Sequence, residues 1–282
     1  MYTTLISAAE LAAHIDSAQL VLLDCRHDLL DLGAGARAYA GGHLPHAQFV
    51  DLDVCLSAEK IGPDGVFRGR HPLPDKLAFI ETLRGFGIHP DSQVVAYDAH
   101  GGMFAARLWW MLRWVGHAGV AVLDGGVPAW VAQGLPLTAA LPAPRRGNIE
   151  LQTATTTQVD AAAVLANIDS AARVLVDARA PDRYRGENET MDPVGGHIPG
   201  AQNRFFKDNL QSDGRFKPAP QLRQEWDALL AGRAAIMQCG SGVTACHNLL
   251  ALEVAGLPGA ALYPGSWSEW CADPARPVAR TV

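Results

Sequence analysis

The sequence predicts an α/β protein of two tandem domains, each an open and mainly parallel sheet flanked by helices. Three observations carry this. The chain repeats itself once at long range. Within each copy, short apolar runs alternate with helical patterns. At 282 residues it is long for one compact core and comfortable for two.

The repeat runs through four blocks in the same order. "LVLLDCR" (Leu20 to Arg26) returns as "RVLVDAR" (Arg173 to Arg179), and "GGHLPHAQ" (Gly41 to Gln48) as "GGHIPGAQ" (Gly195 to Gln202). "VVAYDAHGG" (Val94 to Gly102) corresponds to "AIMQCGSGV" (Ala235 to Val243), and "VLDGGVPAW" (Val122 to Trp130) to "LYPGSWSEW" (Leu262 to Trp270). Offsets of about 140 to 154 residues are too long for a solenoid and fit a duplicated domain. The boundaries this predicts are 1–137 for the first domain, 138–155 for a linker and 156–282 for the second. The linker is rich in Pro, Ala and Thr, with one short strand expected in "NIELQ".

Strands are expected at Gln19–Asp24, Gln93–Tyr97 and Val120–Leu123, and again at Arg173–Asp177, Ala234–Gln238 and Ala260–Tyr263. Amphipathic stretches such as "KLAFIETLRGFGI" and "QLRQEWDALLAG" lie between them. Buried strands alternating with helices indicate parallel βα units. Such sheets bind ligands beyond the carboxyl ends of their strands.

Bulk composition narrows the function classes. Hydrophobic content of 49%, charged content of 18% and a net charge of -6 describe an ordinary globular protein with no basic surface for nucleic acid or anionic membrane. No apolar run approaches the roughly 20 residues of a membrane span. The N-terminal stretch lacks a basic region and carries Glu10 and Asp16, unlike a secretory signal. Five cysteines without paired spacing (Cys25, Cys55, Cys239, Cys246, Cys271) fit free thiols in a reducing, cytoplasmic setting.

One of the five stands apart. In "AAIMQCGSGVTACHNLL" a strand ends at Gln238, Cys239 follows, and Gly240–Ser241–Gly242 must turn sharply into a helix that stops before Gly256. Glycines permit the positive φ angles of such turns. The backbone N–H groups of Gly240, Gly242, Val243 and Thr244 are then expected to point inward as an anion-binding nest at a helix start. A thiol there is expected to be held as thiolate, a nucleophile. The other four cysteines have no such loop and read as structural, Cys246 being the closest to the nucleophile.

"CGSGVTAC" resembles the active-site loop of the mercaptopyruvate sulfurtransferases of the rhodanese superfamily. "GHIPGA", "GHLPHA", "LDGG", "GSWSEW" and "VVAYDAHGGMFAARLWWMLRW" agree, so the resemblance spans nearly the whole chain. It implies two tandem rhodanese-like domains with catalysis in the second. Asp98 stands at the cysteine position of the first copy and cannot carry sulfur, so that domain is expected to be catalytically silent and to wall the site.

The resemblance further implies a Ser–His–Asp relay of Ser241, His71 in "GRHPLP" and Asp53 in "FVDLDVC", with Asp51 left open as the alternative aspartate. It places substrate-carboxylate arginines after "VDAR", where Arg183 and Arg185 stand, Arg183 being the better match. A second family arginine falls near Met191, with Arg179, Arg185 or Arg204 open as its replacement. The implied donor is 3-mercaptopyruvate, since the loop after Cys239 is neutral where thiosulfate sulfurtransferases place basic residues. The expected chemistry is a Cys239 persulfide formed with release of pyruvate and discharged to a thiol such as thioredoxin, or to cyanide. Thiosulfate is the alternative donor.

No metal or organic cofactor is required, and a monomer is expected. Two rivals remain. A phosphatase would need an arginine six residues after the cysteine, where Ala245 stands. A non-catalytic binding module would not need Cys239 in an intact glycine loop.

Overall fold

The computed structural model describes residues 1–143 and 145–280. They form two compact units. The first comprises Met1–Ser57, Pro74–Thr155 and Leu210–Phe216, and the second Ala58–Leu73, Thr156–Asn209 and the chain from Lys217 onward. The segment that carries His71 therefore packs as part of the second unit, although the sequence places it in the first copy.

The first unit runs β1 (Leu5–Ile6), α1 (Ala8–Ala13), β2 (Leu20–Asp24), α2 (Ala34–Gly41), β3 (Gln48–Phe49), α3 (Leu52–Cys55), α4 (Lys76–Gly85), β4 (Gln93–Tyr97), α5 (Ala105–Trp114), β5 (Val120–Leu123) and α6 (Gly126–Ala132). The second runs β6 (Thr157–Gln158), α7 (Ala161–Ser170), β7 (Val174–Asp177), α8 (Pro181–Arg185), β8 (Gln202–Asn203), a 3₁₀ turn (Phe206–Asn209), α9 (Ala219–Leu230), β9 (Ala235–Gln238), α10 (Thr244–Val254), β10 (Ala261–Leu262) and α11 (Ser266–Trp270). The expected strands form: β4 and β5 match, β2, β7 and β9 each begin one residue later, and β10 is a residue shorter at both ends.

Each unit holds a five-stranded sheet, ordered β1-β5-β4-β2-β3 and β6-β10-β9-β7-β8, with every pairing parallel. The two orders correspond strand for strand. The central strands are apolar because helices cover both faces. Leu11, Leu22, Val95, Tyr97, Leu123 and Trp130 pack one core, and Val164, Leu175, Ile236, Tyr263, Trp267 and Trp270 the other.

Two sequence blocks of the repeat prove to be physically joined. Arg26 bonds the Asp24 carboxylate at the tip of β2 and the Gly42 carbonyl of the GGH block. Arg179 does the same with Asp177 and the Gly196 carbonyl. A buried guanidinium must be paired, and each fork ties a strand tip to the turn that follows.

The expected strand in "NIELQ" does not form. Gly147 N–H donates to the Arg84 carbonyl at 2.8 Å, Ile149 to Ile88 at 3.1 Å and Gln152 to Val115 at 3.0 Å. These acceptors lie at helix ends rather than along a strand, so no ladder propagates. Among the described residues no helix is long and apolar enough to cross a membrane.

Candidate active site

Cys239 directly follows β9, at the carboxyl edge of the second sheet. It is 1% exposed. The start of α11 clamps its backbone. Cys239 N–H donates to Ser266 Oγ at 3.1 Å, and the carbonyls of Cys239 and Gly240 accept from Trp267 and Ser268 at 3.0 and 2.9 Å.

The two loop glycines serve different needs. Gly242 has φ of 76°, and a Cβ there would meet the Pro264 carbonyl oxygen at 2.3 Å. Gly240 does not have a positive φ; its need is space, because a Cβ would lie 2.7 Å from Arg70 Nη2 and 3.7 Å from both terminal nitrogens of Arg183. Among the described residues, no acceptor receives the backbone N–H of Gly240, Ser241, Val243 or Thr244.

The first copy shows what such a loop holds. Asp98 is fully buried after β4, and its carboxylate accepts four backbone N–H groups. They come from His100 (2.8 Å), Gly102 (3.0 Å), Phe104 (2.8 Å) and Ala105 (3.0 Å). This is an anion cradle filled by the chain's own carboxylate. In the second copy Ser241 and Val243 stand where His100 and Gly102 stand in the first, and Cys239 replaces the carboxylate. The repeat thus supplies an internal reference: the cradle recognises negative charge, and in the second unit its first side chain is a sulfur.

Ser241 is buried, and its Oγ lies 2.7 Å from His71 Nδ1. Two of the three relay residues therefore meet within one unit. Asp53 lies on α3 of the first unit, with Oδ2 3.9 Å from His27 Nε2. The cap of α3 is Asp51, whose Oδ1 accepts from the N–H groups of Asp53 and Val54 at 2.8 and 3.1 Å. Its carboxylate is committed to capping, which leaves Asp53 as the aspartate candidate.

The arginines separate by partner. Arg183, on α8, bonds Glu189 with Nε and Nη2 at 2.8 to 3.1 Å and reaches Asp192 at 3.4 Å. Arg185 pairs with the exposed Glu187. Arg179 is buried in its fork with Asp177 and lies over the Trp267 ring. Arg204 pairs with Glu225 and lies over Trp226. The guanidinium that joins Arg183 above Gly240 is Arg70, which also pairs with Asp192. Arg70 immediately precedes His71, and that adjacency was the one sequence signal available for it.

Burial raises the thiols of Cys25, Cys55 and Cys271. Asp24 adds to it at Cys25, whose thiol stands well above its ordinary range. Cys271 is pushed to about 11. Cys246 is fully buried one turn into α10, its Sγ 3.3 Å from the Gly242 carbonyl. It supports the loop from beneath.

A cysteine at a strand tip, set in a backbone cradle that a twin domain fills with a carboxylate, defines a rhodanese-type domain pair with one sulfur-bearing member. The chain belongs to that family: the rhodanese-like domain model matches residues 7–133 and 160–273. A probable 3-mercaptopyruvate sulfurtransferase of Pseudomonas aeruginosa is 50% identical over 98% of this chain and 97% of its own. The thiosulfate sulfurtransferase of Bos taurus is 34% identical over 96% of this chain and 92% of its own. Among solved structures, SseA of Escherichia coli, described as a 3-mercaptopyruvate sulfotransferase of rhodanese fold, superposes with a TM-score of 0.81 at 30% identity. That match covers 95% of this chain and all of that one.

Proposed function

We propose that this chain is a sulfurtransferase that takes the thiol sulfur of 3-mercaptopyruvate onto Cys239 as a persulfide and passes it to a thiol. The observation that carries the reading is the Ser241–His71 hydrogen bond of 2.7 Å, formed two residues beyond Cys239 and beside two guanidinium groups. The Cys239 thiolate attacks the donor's sulfur, and the carbon–sulfur bond breaks. Its electron pair goes to the methylene carbon, leaving the enolate of pyruvate, which takes a proton delivered through Ser241 and His71. The outer sulfur of the Cys239 persulfide then lies in the cradle of Ser241 and Val243 N–H groups. An acceptor thiolate attacks it and Cys239 leaves as thiolate, restoring the enzyme.

Arg183 and Arg70 supply the planar donors that a keto-acid carboxylate needs. Thiosulfate is the second donor: the same guanidinium pair accepts a sulfonate, and the bovine relative carries that name. A small reduced dithiol protein such as thioredoxin is the proposed acceptor. Five cysteines without paired spacing in the sequence support a reducing, cytoplasmic setting. The chain itself supplies every residue named, so a monomer suffices.

Incubation with 3-mercaptopyruvate is expected to add one sulfur to the intact mass, mapped to Cys239, with one pyruvate released. Thiosulfate should load the same residue more slowly. Transfer that persists in Cys239→Ser would overturn the reading.

A further inference from the structure

The two guanidinium groups over Gly240 are not open to a substrate alone, because both converge on one buried carboxylate. Arg70 Nη1 pairs with Asp192 Oδ1, and Arg183 Nη2 lies 3.4 Å from Asp192 Oδ2. The Asp192 side chain is 3% exposed. It is held in place by its own N–H, which donates to Glu189 Oε1 at 3.1 Å alongside that of Met191 at 2.9 Å. Glu189 in turn is spent on Arg183 and Arg179.

The charges around Gly240 therefore cancel. Arg70 and Arg183 bring two positive charges, and Glu189 and Asp192 two negative, while Arg179 and Asp177 form their own buried pair beneath. Of the two acids only Asp192 contacts both guanidinium groups that border the loop. Its field falls on whatever anion those groups receive. A dianion feels that repulsion about twice as strongly as a monoanion, and a buried carboxylate is little screened by salt.

We infer that Asp192 is a donor-specificity residue: its carboxylate, bridging Arg70 and Arg183, holds the site near neutrality and so favours a monoanionic keto-acid thiol over the thiosulfate dianion. This rests on the sulfur-transfer reading. Asp192 acts through the arginines and is a positioning residue, not a group that touches the reacting sulfur.

The test compares kcat/KM for 3-mercaptopyruvate and thiosulfate in the wild type, Asp192→Asn, Asp192→Glu and Arg70→Gln. Asp192→Asn removes one negative charge, and the thiosulfate-to-mercaptopyruvate ratio is expected to rise about tenfold, mainly through a lower KM for thiosulfate. Asp192→Glu keeps the charge and should keep the wild-type ratio within about threefold. Arg70→Gln removes a positive charge and should lower the ratio.

An unchanged ratio in Asp192→Asn, or an equal rise in Asp192→Glu, overturns the inference, since a purely structural role would move both donors together. If Asp192→Asn does not fold, Arg70→Gln decides: a ratio that stays level or rises overturns it. A wild type that takes sulfur from neither donor overturns the functional reading and this inference with it. Normal wild-type transfer with an unmoved ratio sinks the inference alone.

Discussion

His71 Nδ1 and Ser241 Oγ lie 2.7 Å apart although 170 residues separate them in the chain. The contact is made because Ala58–Leu73 packs as part of the second unit, with Arg70 N–H donating to Ser268 Oγ at 3.1 Å beside the cysteine loop. Ser241→Ala and His71→Asn are each expected to lower pyruvate release by about a hundredfold, the usual scale of a lost proton-transfer partner. The double variant should be no slower than the worse single one, because the two act as a unit. Multiplying losses in steady-state assays would show instead that they act separately.

Thiol reactivity should follow loop context, since Cys239 is itself only 1% exposed. Donor-derived sulfur is expected on Cys239 only, and Cys25→Ala and Cys271→Ala should retain sulfur transfer. Cys271, pushed up to about 11, is almost wholly protonated at pH 8 and should resist alkylation in the native protein. Peptide mapping after a short pulse of iodoacetamide checks this; rapid labelling of Cys271 would contradict it.

The filled cradle of the first unit should matter for stability rather than chemistry. Asp98→Ala leaves four inward N–H groups without their acceptor. The expected cost is about 2–4 kcal/mol, and Tm should fall by roughly 5–15 °C. Calorimetry measures it, and a Tm within 2 °C of wild type would show that water replaces the carboxylate.

The two loop glycines predict different failures. Gly242→Ala meets both a left-handed backbone and the Pro264 carbonyl at 2.3 Å, neither of which can yield cheaply, so loss of folded protein is expected. Gly240→Ala meets only the end of the Arg70 side chain at 2.7 Å. It should fold and raise KM for 3-mercaptopyruvate by displacing that guanidinium. Circular dichroism separates the first outcome from the second, and kinetics reads the second.

One pH effect follows from Glu225. Partial burial raises its carboxyl, but hydrogen bonds from Arg204, Lys217 and Gln221 outweigh that and hold it at about 2, against an ordinary 4.5. A depressed carboxylate stabilises the fold fully above its unfolded value and loses that contribution as pH falls through the folded one. Glu225→Gln should therefore lower Tm by a few degrees above about pH 4.5, with the gap to wild type closing as pH falls toward 2. Melting curves across that range test it; a constant gap would mean the loss is not electrostatic.

The repeat, the parallel strands and the cysteine loop were legible in the sequence because each is a local property. A strand is an apolar run, a tight turn needs glycine, and a duplicated domain repeats its own text. Asp98 could be named as the counterpart of Cys239 by alignment of the copies alone. Its role as the acceptor of four N–H groups could not, since that depends on where the loop amides point.

The arginines show where sequence reasoning stopped. The sequence offers Arg183 together with Arg179, Arg185 or Arg204; the structure commits the last three to other acids and sets Arg70 beside Arg183 over Gly240. Arg70 reaches Gly240 only through the folding of a distant segment.

The order of residues therefore determined the architecture, the nucleophile and the glycine turn that holds it. Tertiary packing alone decided which charges meet over that turn, because His71, Arg70 and Asp192 are assembled from segments far apart in the chain. Their pairing is set by burial and by the need of each buried charge for a partner, not by any local pattern.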